Sequence, residues 1–252
     1  MDFLVVSLAS FAAGLVDAIV GGGGLILVPA LFASFPGAEP ATLLGTNKSA
    51  SVWGTAFAAQ QFSRRVRFDW PVVLPATATA LAGALFGAWA VTRVDAGFLR
   101  LALPFLLLGV LLYTLAKKNL GDVHAPRHST RDAALIASAI GALVGCYDGF
   151  FGPGTGSFFI FALVRWLGYD FLNASATAKL LNVATNLAAL LLFGLKGHVW
   201  WAMGLAMAVA NVGGSMLGSR LALKHGAGFV RGVFIVVVGA LILKTGHDAF
   251  WR

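Results

Sequence analysis

The sequence predicts an all-α integral membrane protein made of two homologous repeats, and three observations carry that prediction. The first is composition. Of 252 residues, 59% are hydrophobic and 11% charged, and the mean hydropathy is +0.85. A water-soluble domain is nearer half apolar and a quarter charged, so this chain holds more apolar surface than a soluble core can hide. The second is the form of the apolar stretches, which are long and continuous rather than alternating as in a barrel strand. The third is a duplicated device. Gly14–Pro29 reads GLVDAIVGGGGLILVP, with Asp17 inside an apolar run ahead of Gly21–Gly24. Gly145–Gly156 reads GCYDGFFGPGTG, with Asp148 ahead of Gly152, Pro153, Gly154 and Gly156. The two copies are 131 residues apart.

Taken in order, Phe3–Val20 is an apolar segment that ends in the glycines. The opening MDFLVVSLASFAAG has no basic n-region and reads as a retained first membrane segment, not a cleaved signal peptide. Leu25–Phe35 is apolar but only 11 residues long, too short to cross a core of about 30 Å as a helix unless it is extended or re-entrant. Pro36–Pro40 is a turn, and Thr42–Phe62 is long enough to span. Arg64, Arg65 and Arg67 then form a basic loop. Trp70–Val91 and Phe98–Ala116 are two further spans. Lys117–Asp132, with Lys117, Lys118, Arg127 and Arg131, is a polar linker between a first repeat (1–116) and a second (133–252). After it the pattern restarts with Ala133–Phe151, Ser157–Leu167, Asn173–Phe193, Trp200–Leu223 and Phe229–Leu243.

Sliding the chain by the same 131 residues, without a gap, places Thr46 on Thr177, Lys48 on Lys179, Trp70 on Trp201 and Arg100 on Arg231. It also places Gly83 on Gly214 and Gly87 on Gly218. Glycine matches arise by chance in a chain with 31 glycines. Acid on acid, lysine on lysine and tryptophan on tryptophan at one offset do not. Two such halves make a pseudo-symmetric bundle with a site at their interface. Their relative orientation is open between two counts. If the broken first element of each half makes two short crossings, the halves have five segments each and are inverted. If it is one interrupted span, they have four each and are parallel. The basic cluster follows the third segment in the first half, but in the second half it falls one loop later, at Arg220, Lys224 and Arg231. That switch favours inversion.

The net charge of +8 and pI near 10.2 do not point to nucleic acid, because Lys and Arg gather in short loops as the positive-inside bias requires. A lone cysteine, Cys146, excludes an intramolecular disulfide and a cysteine metal cage, and reads as a packing residue. The five histidines have no metal spacing, so neither metal nor cofactor is expected. No Gly-Lys-Ser/Thr follows Gly21–Gly24, so the run is no P-loop. No nucleophile–base pair is apparent, and an enzyme is a poor fit.

The candidate site rests on two lysines inside apolar spans. An ionisable group at helix centre costs about 2.5–3.5 kcal/mol on insertion scales, so it normally faces a cavity or a partner. Lys48, Ser51 and Thr55 share one helix face, and Lys179, Asn182 and Asn186 repeat it. Two stripes of donors, each headed by a cation, suit an anion with several oxygens. Thr46, Asn47 and Thr177 adjoin them. The glycine breaks at Gly22, Gly23, Gly24, Gly154, Thr155 and Gly156 expose helix N-termini, which favour anions. Asp17 and Asp148 orient the lysines or carry a proton. In the plainer structural reading, Asp17 pairs with Lys48 and Asp148 with Lys179 only to neutralise charge. Asn211 reads as a helix–helix contact or a cavity residue, and Gly83, Gly87, Gly214 and Gly218 as packing contacts. Trp53 and Trp166 are candidates to line a cavity, and Trp70, Trp89, Trp200 and Trp201 read as interface anchors.

The motifs GLVDAIVGGGGLILVPAL and LLGTNKSASVWGT in the first half, with YDGFFGPGTGSF, SATAKLLNVATN and GHVWW in the second, resemble those of the TauE/SafE sulfite exporters, also called toluenesulfonate uptake permeases. The similarity covers nearly the whole chain. It implies a multi-pass transporter of sulfite, sulfonates or related organosulfur anions in the bacterial inner membrane. Asp69–Trp70 faces Trp200–Trp201 across the repeat, a departure that removes the loop acid from one half. The reading is therefore a secondary transporter of small oxyanions, with a small anion, the lipid bilayer and, as a hypothesis, protons as partners. A homodimer is left open. A passive anion channel and a non-transporting membrane scaffold are the alternatives.

Overall fold

A computed structural model describes residues 2–35, 37–91, 108 and 123–250. Among these residues the regular structure is helical, with no strand. The helices are α1 (Asp2–Val20), α2 (Gly24–Ser34), α3 (Pro40–Ser63), α4 (Trp70–Val91) and α5 (Thr130–Phe150). They continue with α6 (Thr155–Ala162), which runs into a π-helical turn at Leu163–Leu167, then α7 (Phe171–Leu195) and α8 (Trp201–Phe250). The expected span Phe98–Ala116 lies outside the described residues.

Among the described residues, five helical stretches are long and apolar enough to cross a membrane: Phe3–Val20, Trp70–Val91, Thr130–Phe150, Phe171–Leu195 and Trp201–Val237. The helix α3 is as long, at 24 residues, but it buries Thr46, Asn47, Lys48, Ser49 and Thr55. Its polarity is tolerable because α1, α2, α7 and α8 pack around it. At 11 residues α2 is short, and α6 with its π turn covers only Thr155–Leu167, as their sequences predict. A straight 50-residue α8 would be about 75 Å long, more than twice the hydrocarbon core. It is broken at Gly226, where φ is 74° and ψ −165°, between the two spans expected there.

Local chemistry fixes the helix starts. Ser129 caps α5 by accepting the Asp132 N–H at 3.2 Å, and Asp170 caps α7 by accepting the Asn173 N–H at 2.7 Å. α5 therefore begins inside the stretch that reads as linker. Pro40 opens α3, where its missing N–H costs nothing.

The two breaks differ in construction. In the first half, Gly21 takes φ +75°, and a Cβ there would lie 2.3 Å from the Gly156 Cα. The two breaks thus cross in backbone contact, which only glycine permits. In the second half, Gly152 and Gly154 take positive φ, and the Tyr147 hydroxyl donates to the Pro153 carbonyl at 2.5 Å. Val16 stands at the position of Tyr147 in the first half, so that break has no such latch.

The helices pair across the halves: α1 packs on α8 and α4 on α5, while α3 and α7 pack on each other in the middle. Cβ atoms built on Gly83 and Gly87 of α4, or on Gly141, Gly145 and Gly149 of α5, would lie 2.0–2.4 Å from carbonyl oxygens of the facing helix. On Gly14, Gly214 and Gly218, between α1 and α8, the corresponding distances are 1.9–2.3 Å. Asn211 is a helix–helix contact, donating to the Ser10 carbonyl at 3.0 Å. Asp69 of the α3–α4 loop, His124 of the linker and Tyr169 of the α6–α7 loop border one cavity at one end of the bundle. At the other end of α3, Glu39 of the α2–α3 loop meets His198 of the α7–α8 loop at 3.3 Å.

Candidate functional site

Lys48 and Lys179 are each the ninth residue of their helix, and both are buried, at 4% and 0% exposure. Asp17 lies one turn before the end of α1, and Asp148 two residues before the end of α5. The pairing is crossed between halves. Lys48 Nζ donates to Asp148 Oδ2 at 2.7 Å, and Lys179 Nζ lies 3.8 Å from Asp17 Oδ2. This corrects the expectation that Asp17 pairs with Lys48 and Asp148 with Lys179. The physical reason is the packing order. α1 and α5 end at the crossed breaks, so each acid reaches the central helix of the other half.

The two pairs are unequal. The Lys48–Asp148 pair is a short, charge-assisted hydrogen bond. At 3.8 Å the Lys179–Asp17 contact is Coulombic only, and Lys179 Nζ has no hydrogen-bond partner. A fully buried ammonium without one is costly unless a charge beside it compensates, and Asp17 is that charge. Thr55 Oγ1 lies 3.2 Å from Asp17 Oδ2 and 2.9 Å from the Ser51 carbonyl. Its one hydrogen can serve only one of them at a time.

These groups surround a cavity of about 20 Å³, room for about one ordered water. Asp17, Asn47, Lys48, Ser51, Thr55, Asp148, Asn182 and Asn186 line it, as do Gly24, Thr155 and Gly156 at the starts of α2 and α6. Two helix N-termini therefore open onto one polar space, where backbone N–H groups and helix dipoles favour negative charge. Asn47 Oδ1 has no hydrogen-bond partner.

Most of the residues predicted from sequence converge here, but not all. Lys179 is not among the lining residues. It is fully buried outside the lining, 3.8 Å from Asp17, which does line the cavity. Thr46 holds the bundle together, donating to the Thr42 carbonyl at 2.7 Å and accepting the Trp200 N–H at 3.0 Å. Thr177 is buried outside the lining, and so are Gly22, Gly23 and Gly154. A Cβ on Gly23 would come within 2.8 Å of the Asp17 Cβ, so Gly23 gives the acid its room. Trp53 and Trp166 are 54% and 50% exposed and do not line the cavity. Sequence reasoning missed Gly21 and Gly152, which do line it. Their signal was their place as the first glycine after each acid-bearing helix.

A family model described as Sulfite exporter TauE/SafE matches residues 6–245 of the chain. The chain is similar to YfcA of Escherichia coli strain K12, a probable membrane transporter protein, at 39% identity over 97% of this chain and 90% of the relative. It is similar to the probable membrane transporter protein ORF9 of a Sinorhizobium species, at 38% identity over 95% of this chain and 90% of the relative. A probable membrane transporter protein of Haemophilus influenzae matches at 34% identity over 96% of this chain and 93% of the relative. No solved structure matches the chain.

Proposed function

The chain belongs to the sulfite exporter TauE/SafE family, and on that premise we propose that it is a secondary transporter of small oxyanions, sulfite or organic sulfonates. One observation carries the reading. A polar cavity is lined by Asp17, Lys48 and Asp148 of two crossed lysine–aspartate pairs and receives the N-termini of two short helices. Buried ionisable groups in a membrane bundle are costly and mark substrate pathways. Broken helices whose starts face one cavity are a recurrent anion-binding arrangement in transporters.

Lys48 is the cation at the cavity, and Lys179 acts on it from beside Asp17. Ser51, Thr55, Asn182 and Asn186 supply hydrogen bonds to the anion's oxygens. The starts of α2 and α6, at Gly24, Thr155 and Gly156, supply backbone N–H groups. The cavity holds about one water, less than an oxyanion needs, so loading requires the two break regions to separate. The relatives are bacterial and this chain is a helical bundle of several spans, which supports the inner membrane as its location.

We further read the two halves as inverted repeats. The corresponding α2–α3 and α6–α7 loops lie near opposite ends of α3, and so do the α3–α4 and α7–α8 loops. Helix pairing supports the same reading, since the first helix of each half packs on the fourth of the other.

Purified protein in liposomes should accumulate labelled sulfite or methanesulfonate against its gradient when a pH gradient is imposed. Lys48→Ala should lower the initial rate at least about tenfold, the effect expected for losing a charge-assisted contact. Movement only down the anion's own gradient would make the protein a passive channel. No movement of either anion would overturn the reading.

A further inference from the structure

The four buried charges at the site cancel: two ammonium groups face two carboxylates. An anion entering this cavity leaves one uncompensated negative charge in a low-dielectric interior, which is strongly disfavoured. A proton arriving with it restores neutrality. The geometry decides where that proton goes.

Asp148 is held at 2.7 Å by Lys48, in a charge-assisted hydrogen bond that favours a carboxylate acceptor. Asp17 is 3.8 Å from its lysine and is contacted by a hydroxyl. Thr55 suits both protonation states of Asp17. It donates to the ionised carboxylate. When Asp17 carries a proton, Thr55 can accept from it and donate to the Ser51 carbonyl at 2.9 Å. Asp17 borders the cavity, while Lys179, 3.8 Å from it, lies outside the lining without a hydrogen bond.

Resting on the transport reading above, we infer that Asp17 is the proton-carrying acid of the site, and that its protonation unmasks Lys179 as the second cation for the anion. While Asp17 is ionised it cancels the field of Lys179 at the cavity. Once Asp17 is neutral, the ammonium acts on the cavity unopposed and the anion becomes its counter-charge. One proton then accompanies each monoanion, and the loaded site is neutral again. No bond other than the O–H of Asp17 forms or breaks. Among the described residues, the charged groups that bear on Asp17 are Lys179 of α7 and, across the cavity, Lys48 of α3 and Asp148 of α5. The segments α2 and α6 carry no charged residue. Arg220, Lys224 and His225 of α8 are exposed, and Arg231 lies beyond the Gly226 break.

The experiment counts protons and anions with methanesulfonate, whose charge does not change over the working pH range. In liposomes with an internal pH dye, the wild-type protein should move about one proton per methanesulfonate, with uptake insensitive to a clamped membrane potential. In detergent, its apparent Kd should rise with pH, by about tenfold per unit wherever one proton is taken up with each anion bound. Asp17→Asn should abolish the proton count and flatten that pH dependence, whatever rate survives, and make residual uptake follow the membrane potential. Asp17→Glu, which keeps an acid at that place and all four charges, should keep the count near one. The Kd profile of the wild type tests the inference even if a variant does not fold.

Wild-type uptake that is potential-driven and moves no proton would overturn the inference while leaving the transport reading intact. So would a proton count preserved in Asp17→Asn. Absence of uptake of both methanesulfonate and sulfite would overturn the transport reading and this inference with it. If sulfite alone is carried, the count is made near pH 5.5, where it is a monoanion.

Discussion

Lys48 and Asp148 come from helices far apart in the chain, and their 2.7 Å contact is nearly inaccessible to water. Removing one partner of such a pair strands the other. Lys48→Met alone, or Asp148→Leu alone, should therefore cost about 3–5 kcal/mol. The double substitution should cost clearly less than either single loss added to the other. Thermal unfolding of the four proteins in one detergent gives the coupling energy directly. The same cycle on Lys48 and Asp17, which line one cavity without direct contact, should give a clearly smaller coupling. A large Lys48–Asp17 coupling and a small Lys48–Asp148 coupling would contradict the crossed arrangement. Thr55→Val is the milder probe. It removes the hydroxyl from Asp17 and should cost about 1 kcal/mol.

At the scale of elements, the glycines divide by what faces them. A Cβ on Gly87 would stand 2.0 Å from the Cys146 carbonyl oxygen, and backbone cannot yield as a side chain can. Gly87→Ala should separate α4 from α5 and cost about 1–3 kcal/mol. Gly232, in α8, has nothing within 4 Å of its Cβ position. There alanine should gain about 0.5–1 kcal/mol through helix propensity alone. Melting temperatures of the two variants should move in opposite directions. Gly21→Ala should be worse than either, since it combines positive φ with backbone contact to Gly156. Helices α2 and α6 belong to the same argument. Their brevity was legible from the glycine run and from Ser157–Leu167. The π turn at Leu163–Leu167 had no sequence signal, because it depends on how α6 packs against α5 and α7.

For the whole molecule, the inverted reading makes a topological prediction. Cysteines placed at Arg65 and His198 should react with a membrane-impermeant thiol reagent from opposite sides of the vesicle. Cysteines at Glu39 and His198, which lie 3.3 Å apart, should react from the same side. Cys146 is replaced by Ala in the background so that each label reports one position. Labelling of Arg65 and His198 sites from one side would favour parallel halves.

The sequence by itself determined the solvent this protein folds in, the positions of most of its helices and the identity of its buried charges. Hydropathy and the placement of Asp17, Lys48, Asp148 and Lys179 are properties of single residues and their near neighbours. The tertiary structure decided which acid meets which base, that Asp17 lines the cavity while Lys179 does not, and that Thr46 serves packing. Those outcomes follow from the crossing of the two breaks at Gly21 and Gly156. That crossing is set by helix packing between residues far apart in the chain, on which local hydropathy and residue spacing are silent.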